Sequence, residues 1–431
     1  MDLSAALAYL DEHVNLEAMA VAGRAQPPSL DRTRELVGLM ADPQHQYPVV
    51  HLTGTNGKTS TARMTAALCA AQGLSVGTYT SPHLDRVNDR MAWNGDPIDD
   101  GSLAGVVAAV AGLEPLLGGR PSYFEILTAA AFRWFADVAV DVAVVEVGLL
   151  GRWDATNVAD GQVAVVTNVG ADHLDYAGSR EGVAREKAGI VKPGSILVLG
   201  EPDPALAPVF EAAGAAAVWR RGDDFACDAN HLAHGGRLLR LRTPGAIYDE
   251  VFLPLHGAHQ GDKAACALAA AEAFFGTPLA EEVVAEALGV VRSPGRLQVV
   301  SRQPLCLLDG AHNPDGAEAL ARALLDDFAG SAGLILVVGM LRPHDPAEML
   351  GALDAGRARL VVACPPPSPR AVPPAEIAAA AAAMGVAAET APSVAEALDL
   401  ALAEARPDEA VVGTGSLYTV GAARAARWPA S

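Results

Sequence analysis

Residues 49–59 read VVHLTGTNGKT, a short apolar run followed by two glycines, a lysine and a threonine. The apolar run at 49–54 is typical of a buried strand, and the segment from about 58 to 71 has the pattern of a helix. A loop of this kind can turn tightly and point backbone amides at a phosphate, and the helix N-terminus adds partial positive charge. We therefore predict a phosphate-binding loop, in which Lys58 neutralises the β- and γ-phosphates of a nucleotide and Thr59 supports a magnesium ion.

The spacing of this loop, GxxGK[ST], is shorter than the common GxxxxGK[ST], because Leu52 stands where the first glycine would be. An ordinary strand–helix turn with a chance lysine is the alternative interpretation. The strand before the loop and the helix after it favour phosphate binding.

Strand-like apolar runs recur along the chain, with helical stretches between them. They lie at 49–54, 74–81, 140–148, 163–170 and 195–200. The Val-rich run at 140–148 is typical of a parallel strand that is buried on both faces. These alternating elements predict a doubly wound parallel sheet, which binds ligands beyond the carboxyl ends of its strands.

The same α/β pattern restarts after Ser293-Pro294-Gly295, a tripeptide typical of a linker. Strand-like runs follow at 305–310, 333–339, 359–364 and 409–415. Before the linker, the irregular alternation at 220–255 predicts a small antiparallel patch. The sequence therefore predicts a P-loop-containing doubly wound α/β domain at 1–293 and a smaller Rossmann-like α/β domain at 294–431.

Polar residues stand where three strands of the first domain end. Ser81 follows the second strand, Glu146 lies near the end of the third, and Asp172 and His173 follow the fourth. Parallel strands with right-handed crossovers bring these ends to one edge of the sheet, beside the phosphate loop. A hydroxyl, a carboxylate and an imidazole could hold magnesium ions there, and a carboxylate inside an apolar strand needs such a partner.

The bulk composition limits the class of protein. The 431 residues carry a net charge of −20 at pH 7, which disfavours a nucleic-acid binder. The cysteine number is odd and no CxxC pair occurs, which argues against disulfides or zinc and fits a reducing compartment. The cysteines are Cys69, Cys227, Cys266, Cys306 and Cys364. Because we find neither a signal peptide nor an apolar run of about 18 residues, we expect a cytoplasmic protein without a membrane partner.

Nine ordered motifs carry a resemblance to a known family. They are HLTGTNGKTST (51–61), TSPHL (80–84), FEILTAAAF (124–132), EVGLLGRWDATNV (146–158), DHLDYAG (172–178), REKAGIVKPG (185–194), PGRLQ (294–298), LDGAHNPDGA (308–317) and GSLYTVG (415–421). Together they resemble the folylpolyglutamate synthase and dihydrofolate synthase family, within the Mur ligase superfamily, over nearly the whole chain. The TSPH, EKAGI and DGAHNP segments look more like the folate branch than the cell-wall branch.

This resemblance implies an ATP-dependent ligase that adds L-glutamate to the carboxylate of a folate or of dihydropteroate. It also implies that Lys187, the lysine of EKAGI, is carbamylated by CO2 and so becomes an anionic magnesium ligand. The phosphate loop and the resemblance together predict ATP contacts from Gly54, Thr55, Asn56, Gly57, Lys58, Thr59, Ser60, Arg296 and Asp309. The implied magnesium ligands are Ser81, Glu146, His173 and Lys187. The implied catalytic residues are Lys58, Lys187 and His312, and those on the pterin side of the cleft are Phe124, Arg152, Asp154 and Ala155.

The chain departs from the family pattern in two places. The family often has an asparagine that contacts the adenine at the position where this chain has Lys263, so we expect that contact to differ. The glycine pair that often follows EVG is replaced here by Leu149-Leu150-Gly151, which we expect to alter the shape of the pterin pocket.

The implied mechanism passes through an acyl phosphate, with the two domains closing over ATP to exclude water. The alternatives are another Mur-type ligase, for example one acting on a UDP-linked muramyl peptide, a P-loop NTPase switch, and a non-catalytic relative that kept the fold. A switch would not explain Lys187 or the second α/β domain. The sequence does not choose between dihydropteroate and tetrahydrofolate as the acceptor. We expect a monomer, because a cleft between two domains works within one chain.

Overall fold

The computed structural model describes residues 1–15, 17, 29–172 and 174–429. Its largest sheet has eight strands in the spatial order β4-β3-β2-β5-β1-β6-β7-β8. These strands are β1 (Val49–Thr53), β2 (Val76–Tyr79), β3 (Met91–Trp93), β4 (Asp96–Pro97), β5 (Val142–Glu146), β6 (Gly161–Val166), β7 (Ile196–Leu199) and β8 (Ala217–Arg220). All neighbours from β2 to β8 are parallel, and β3 and β4 add an antiparallel edge.

Helices cover both faces of this sheet. They are α1 (Leu3–Asp11), α2 (Asp31–Leu39), α3 (Lys58–Ala71), α4 (Asp100–Leu113), α5 (Tyr123–Asp137), α6 (Leu174–Ala177), α7 (Arg180–Ala188), α8 (Ala207–Glu211), α9 (His259–Phe275) and α10 (Glu281–Gly289). In β5, Val142 and Val144 pack with α3 and α9, whereas Ala143 and Val145 pack with α4 and α5. Successive side chains thus enter opposite apolar layers, which is why this strand is a continuous apolar run. The predicted doubly wound parallel sheet is confirmed.

A three-stranded antiparallel sheet follows β8, as predicted for 220–255. It consists of β9 (Ala226–Ala233), β10 (Gly236–Arg242) and β11 (Ile247–Leu253), with β10 in the middle. Leu239, Leu241 and Tyr248 from its inner face join the apolar layer formed by α3 and α9. The small sheet therefore packs onto the first domain.

The C-terminal part of the chain forms a six-stranded sheet in the order β12-β13-β17-β14-β15-β16. Its strands are β12 (Gln298–Arg302), β13 (Leu305–Leu308), β14 (Gly333–Val338), β15 (Leu360–Ala363), β16 (Ala387–Thr390) and β17 (Glu409–Thr414), and only β12 is antiparallel. Its helices are α11 (Pro314–Asp327), α12 (Pro346–Ala352), α13 (Pro374–Ala383), α14 (Val394–Glu404) and α15 (Leu417–Arg427). This is the second α/β unit that the sequence predicts.

Ion pairs connect the first domain, including its small antiparallel sheet, to the second domain. Arg424 of α15 forms an ion pair with Asp85 at 2.9 Å. Arg237 of β10 forms another, at 3.0 Å, with Asp327 at the end of α11. The predicted domain boundary between 293 and 294 falls in the segment that connects α10 to β12.

All five cysteines are free. Within the described ranges, no helix is long and apolar enough to cross a membrane.

Candidate active site

The phosphate loop lies between β1 and α3 and is held by the end of the neighbouring strand β6. The Asn168 side-chain oxygen accepts hydrogen bonds from the amides of Thr55 and Asn56, at 3.1 and 2.9 Å. The Thr167 hydroxyl donates to the carbonyl of Asn56 at 2.7 Å. It also lies so near Gly54 that a Cβ there would be 1.8 Å away, so only glycine fits. These contacts of Thr167 and Asn168 fix the conformation of the loop.

Lys58, the first residue of α3, folds back over this loop. Its Nζ donates to the carbonyl of Gly54 at 2.9 Å and approaches that of Thr55 at 3.4 Å. Burial lowers the pKa of this amine, although Glu146 and Asp172 partly oppose the effect. The ammonium consequently lies beside the loop amides, where a nucleotide phosphate would be most strongly attracted.

Glu146 ends β5 and is only 1% exposed. Both of its oxygens accept hydrogen bonds from the Thr59 hydroxyl at 3.0 Å, and one accepts the amide of Ser81 at 3.3 Å. Burial raises the pKa of this carboxyl group, while Lys58 lowers it. The structure thus brings Thr59, Ser81 and Glu146 together at the carboxyl edge of the sheet, as the strand order predicts.

Lys187 lies on the last turn of α7 and is also 1% exposed. Burial, followed by the charge of Lys58, lowers the pKa of its amine far below the ordinary value. Within the part of the chain that the structure describes, its Nζ makes no hydrogen bond. His173, the remaining predicted magnesium ligand, lies outside the described residues. Its neighbour Asp172 accepts a hydrogen bond from the Asn313 side chain at 3.2 Å.

The second domain contributes the opposite wall of a cleft of about 190 Å³. Asp309 accepts the amides of Leu297 and Ala311 at 2.7 and 2.8 Å, and Arg296 lies beside it. His312 Nδ1 donates to the carbonyl of Gly310 at 2.9 Å, and burial lowers the pKa of its ring. The predicted ATP residues Asn56, Gly57, Thr59, Ser60, Arg296 and Asp309 all line this cleft, together with His312.

Asn313 links the two walls. Its side-chain amide and that of Asn56 donate to each other's oxygens, at 3.1 and 3.2 Å. The Asn313 oxygen also accepts the amide of Gly316 and so caps the N-terminus of α11. The phosphate loop of one domain is thereby hydrogen-bonded to the first turn of a helix in the other.

The residues predicted for the pterin side lie around the turn after β5 and do not line the nucleotide cleft. Phe124 packs against Gly148, where a Cβ would come within 2.6 Å of its ring.

Asp154 is buried and accepts the amides of Leu149 and Thr156 at 2.8 and 3.0 Å, and burial raises its pKa to about 6. The side chain of Arg152 is half exposed and lies 3.8 Å from Glu186. Ala155 is buried. Asp154 therefore shapes the turn.

Sequence reasoning missed Thr167, Asn168 and Asn313 as parts of the site. A polar side chain directly after β6, in VTNVG, was the available indication for the first two, and the asparagine of DGAHNP for the third. It also did not note that lysine is scarce in this chain and concentrated at the site. The chain has 27 arginines but only four lysines. Lys58, Lys187 and Lys263 lie at this site, and only Lys192 lies elsewhere.

Comparisons with known proteins agree with this geometry. The family model "Mur ligase, glutamate ligase domain" matches residues 295–417, and "Mur ligase middle domain" matches 115–271. The chain is 40% identical to the dihydrofolate synthase/folylpolyglutamate synthase of Mycobacterium tuberculosis, over 92% of this chain and 89% of that protein. It is 35% identical to the folylpolyglutamate synthase of Lacticaseibacillus casei, over 91% and 93%. The solved structure of the M. tuberculosis folylpolyglutamate synthase complexed with ADP superposes with a TM-score of 0.92 at 37% identity, covering 99% of this chain and 98% of that one.

Proposed function

The chain belongs to the folylpolyglutamate synthase and dihydrofolate synthase family of Mur ligases, and from this premise we propose that it is an ATP-dependent glutamate ligase. It joins L-glutamate to the carboxylate of a folate or of dihydropteroate. The carboxylate takes the γ-phosphoryl group of ATP, and the glutamate amine then displaces phosphate to form the amide. The observation that carries the proposal is the cleft, which places the phosphate loop opposite His312 and Asp309.

The oxygen groups beside the phosphate loop fit magnesium. Burial raises the pKa of Glu146, so a cation close to this carboxylate would stabilise its charged form. Together with the hydroxyls of Thr59 and Ser81 it forms a set of hard oxygen donors, the kind that Mg²⁺ prefers, and we add His173 from the sequence. Magnesium bound there would neutralise charge on the phosphates during transfer.

Lys187 fits modification by CO2. Burial lowers the pKa of the Lys187 amine and so favours its neutral form, which is the form that reacts with CO2. Its nitrogen lone pair attacks the carbon of CO2, a C–N bond forms, and one proton leaves to solvent. The resulting carbamate is an anion whose oxygens would complete the magnesium site beside Glu146.

His312 is the residue that we assign to the amine of glutamate. Its Nδ1 proton is donated to Gly310, so Nε2 keeps its lone pair, and burial favours the neutral ring. A neutral imidazole can accept the proton that the glutamate ammonium must lose before it attacks the acyl phosphate. His312 thus holds a proton at Nε2 after the amide forms.

Lys58 and the N-terminus of α3 act on the phosphates. Their positive charge offsets the charge that builds up as the γ-phosphoryl group moves to the carboxylate. Closure of the two domains excludes water, which would otherwise hydrolyse the acyl phosphate. ATP hydrolysis that runs as fast without glutamate as with it would contradict this part of the proposal.

The decisive experiment is a phosphate-release assay with Mg-ATP, glutamate and bicarbonate, run separately with dihydropteroate and with tetrahydrofolate. Turnover with dihydropteroate makes the enzyme a dihydrofolate synthase, turnover with tetrahydrofolate a chain extender, and turnover with both makes it bifunctional. Lys187→Met should abolish turnover, whereas Lys192→Met should preserve it. A folded protein that binds ATP but uses neither acceptor would overturn the folate assignment in favour of another Mur-type substrate.

The same proposal extends to the organisation of the protein. We place the domain boundary between 293 and 294, and we expect a monomer in sedimentation, because one chain supplies both walls of the cleft. The five free thiols favour the reducing cytoplasm.

A further inference from the structure

Lys263 lies in the first turns of α9 and lines the cleft together with Gly57. Its aliphatic chain crosses the phosphate loop at Gly57, where an added Cβ would lie 2.9 Å from Lys263 Cε and 3.3 Å from Cδ. Gly57 has a φ of +86° and is the last residue before α3. The Lys263 amine is therefore held next to the amides at the start of that helix.

The acidic groups near Lys263 are engaged elsewhere. Asp262 forms an ion pair with Arg221. Asp309 gives its two oxygens to the amides of Leu297 and Ala311. Among the described residues, Lys263 itself has neither a hydrogen bond nor an ion pair. The Lys263 amine thus lines the cleft without a direct ion pair, although the charges of Asp309 and Asp262 act on it from a distance.

Arg296 and the N-terminus of α3 face the same space from two other elements. These sources of positive charge repel one another, the carboxylates of Asp262 and Asp309 offset only part of that repulsion, and an anion placed among them relieves it further. The flat apolar surface that an adenine ring requires is not what an ammonium head provides.

We propose that Lys263 is a nucleotide-binding residue of this enzyme, whose ammonium contacts a phosphate group of ATP beside Gly57. The inference rests on the proposed use of ATP and specifies how the cleft holds it. Two lysines, one from α3 and one from α9, would then clamp the phosphate chain across Gly57.

The electrostatic setting of Lys263 supports this role. Burial, and then the charge of Arg296, lowers its pKa to about 7, with Asp309 and Asp262 opposing the shift. Burial and the charge of Arg296 disfavour an ammonium at this position, and a phosphate would stabilise it. Only four lysines occur in the chain, and arginine supplies nearly all other cations. A compact ammonium fits over Gly57, where the broader guanidinium of arginine would meet the loop.

The test measures equilibrium binding of ATP, ADP and adenosine to the full chain, without folate or glutamate. Lys263→Met keeps the aliphatic contact with Gly57 and removes the charge. Loss of one charge-assisted contact should weaken ATP and ADP by roughly 10- to 100-fold and leave adenosine unchanged. Lys192→Met is the matched control, because Lys192 donates to the Asn157 carbonyl outside the cleft, and its variant should bind ATP as the unaltered protein does.

Two results would overturn the proposal. Unchanged ATP affinity in Lys263→Met means that the amine makes no contact with the nucleotide, and an equal loss for ATP and adenosine means that it contacts the base or the ribose instead. If Lys263→Met does not fold, Lys263→Gln provides a second neutral side chain for the same comparison. Failure of the unaltered protein to bind any nucleotide would instead refute the proposed function.

Discussion

At Leu150, the cost of a strained backbone conformation is opposed by the packing of a buried side chain. Its φ is +58°, a left-handed conformation that costs a side chain such as leucine roughly 1–2 kcal/mol. The side chain is 5% exposed and packs in the cluster that contains Val147 and Ile190. Removing a buried leucine side chain typically costs about 2–5 kcal/mol. Packing therefore outweighs backbone strain, which explains how a leucine can occupy a left-handed backbone position.

We expect Leu150→Gly and Leu150→Ala to destabilise the protein, with the glycine variant more stable than the alanine variant by about 1 kcal/mol. Both variants lose the packing, but only glycine relieves the strain. Urea unfolding measures the difference. At Ala184, within α7, the backbone is helical and alanine should be more stable than glycine. Ala184→Gly should therefore destabilise the protein by about 1 kcal/mol. An alanine variant at 150 that is more stable than the glycine variant would show that strain is not stored there.

Glu409 should make stability depend on pH. It opens β17, lies 2.8 Å from Arg359 and accepts the amide of Arg406 at 3.0 Å, and these contacts lower its pKa from 4.5 to about 2. Because the pKa of Glu409 is lower in the folded than in the unfolded protein, its ionised carboxylate stabilises the folded state at pH values above the pKa of the unfolded protein. This contribution is lost as the pH falls through the pKa of the folded protein. Glu409→Gln should therefore lower the midpoint of urea unfolding at pH 7. The difference in midpoint between the variant and the unaltered protein should narrow as the pH falls from 4.5 to 2.

The control for this prediction is Glu404→Gln, because Glu404 is exposed and lies 3.9 Å from the same arginine. Its midpoint should differ little from that of the unaltered protein at any pH. A Glu409→Gln difference that stays constant from pH 7 to pH 3 would contradict the assigned cause.

At the scale of elements, α11 connects the two domains at the cleft. Asn313 has three contacts there, since it caps the helix, pairs with the Asn56 side chain and donates to Asp172. Substitutions can separate these contacts. Asn56→Ala removes only the pair, Asn313→Ser removes the pair and the Asp172 contact but can still cap, and Asn313→Ala removes all three.

We expect Asn56→Ala to reduce kcat/KM about tenfold and Asn313→Ser to reduce it by at least that factor, since both break the same interdomain pair and the second also removes the hydrogen bond to Asp172. Asn313→Ala should in addition lose about 1 kcal/mol of stability through the missing cap. Steady-state kinetics and thermal unfolding measure the two effects separately. If combining Asn56→Ala with Asn313→Ser multiplied their losses, the two residues would act independently, contrary to this prediction.

Elements also show where sequence reasoning was sufficient. The bounds of α3 agree with the predicted segment, because strand, glycine loop and helix are contiguous and carry local patterns. The short hairpin of β3 and β4 was missed, since three- and two-residue strands give no measurable periodicity. The Asn56–Asn313 pair could not be predicted, because the two residues are 257 positions apart and meet only when both domains have folded and packed.

At the scale of the whole molecule, Gly421 controls how closely the domains approach. It lies inside α15, and a Cβ there would come within 2.4 Å of the Leu84 carbonyl, a backbone atom of the first domain. Gly421→Ala should therefore push the domains apart. We expect at least a several-fold loss of kcat and a larger radius of gyration by small-angle scattering.

Gly351 is the matched control for this substitution. It lies in α12 of the same domain, and an added Cβ would meet nothing within 4 Å. Gly351→Ala should leave activity and dimensions unchanged and make the protein slightly more stable. Full activity in Gly421→Ala would mean that this contact does not limit closure.

The scarcity of lysine has a practical consequence for following the enzyme in solution. Reagents that acylate primary amines would find few lysine targets, and three of the four lie at the cleft or beside it. Lys263 should react more slowly when a nucleotide occupies the cleft, and Lys187 should not react while it carries the proposed carbamate, whereas Lys192 provides an internal reference outside the cleft. The ratio of the labelling rates of Lys263 and Lys192, read by mass spectrometry, would give the fraction of occupied molecules in a mixed population.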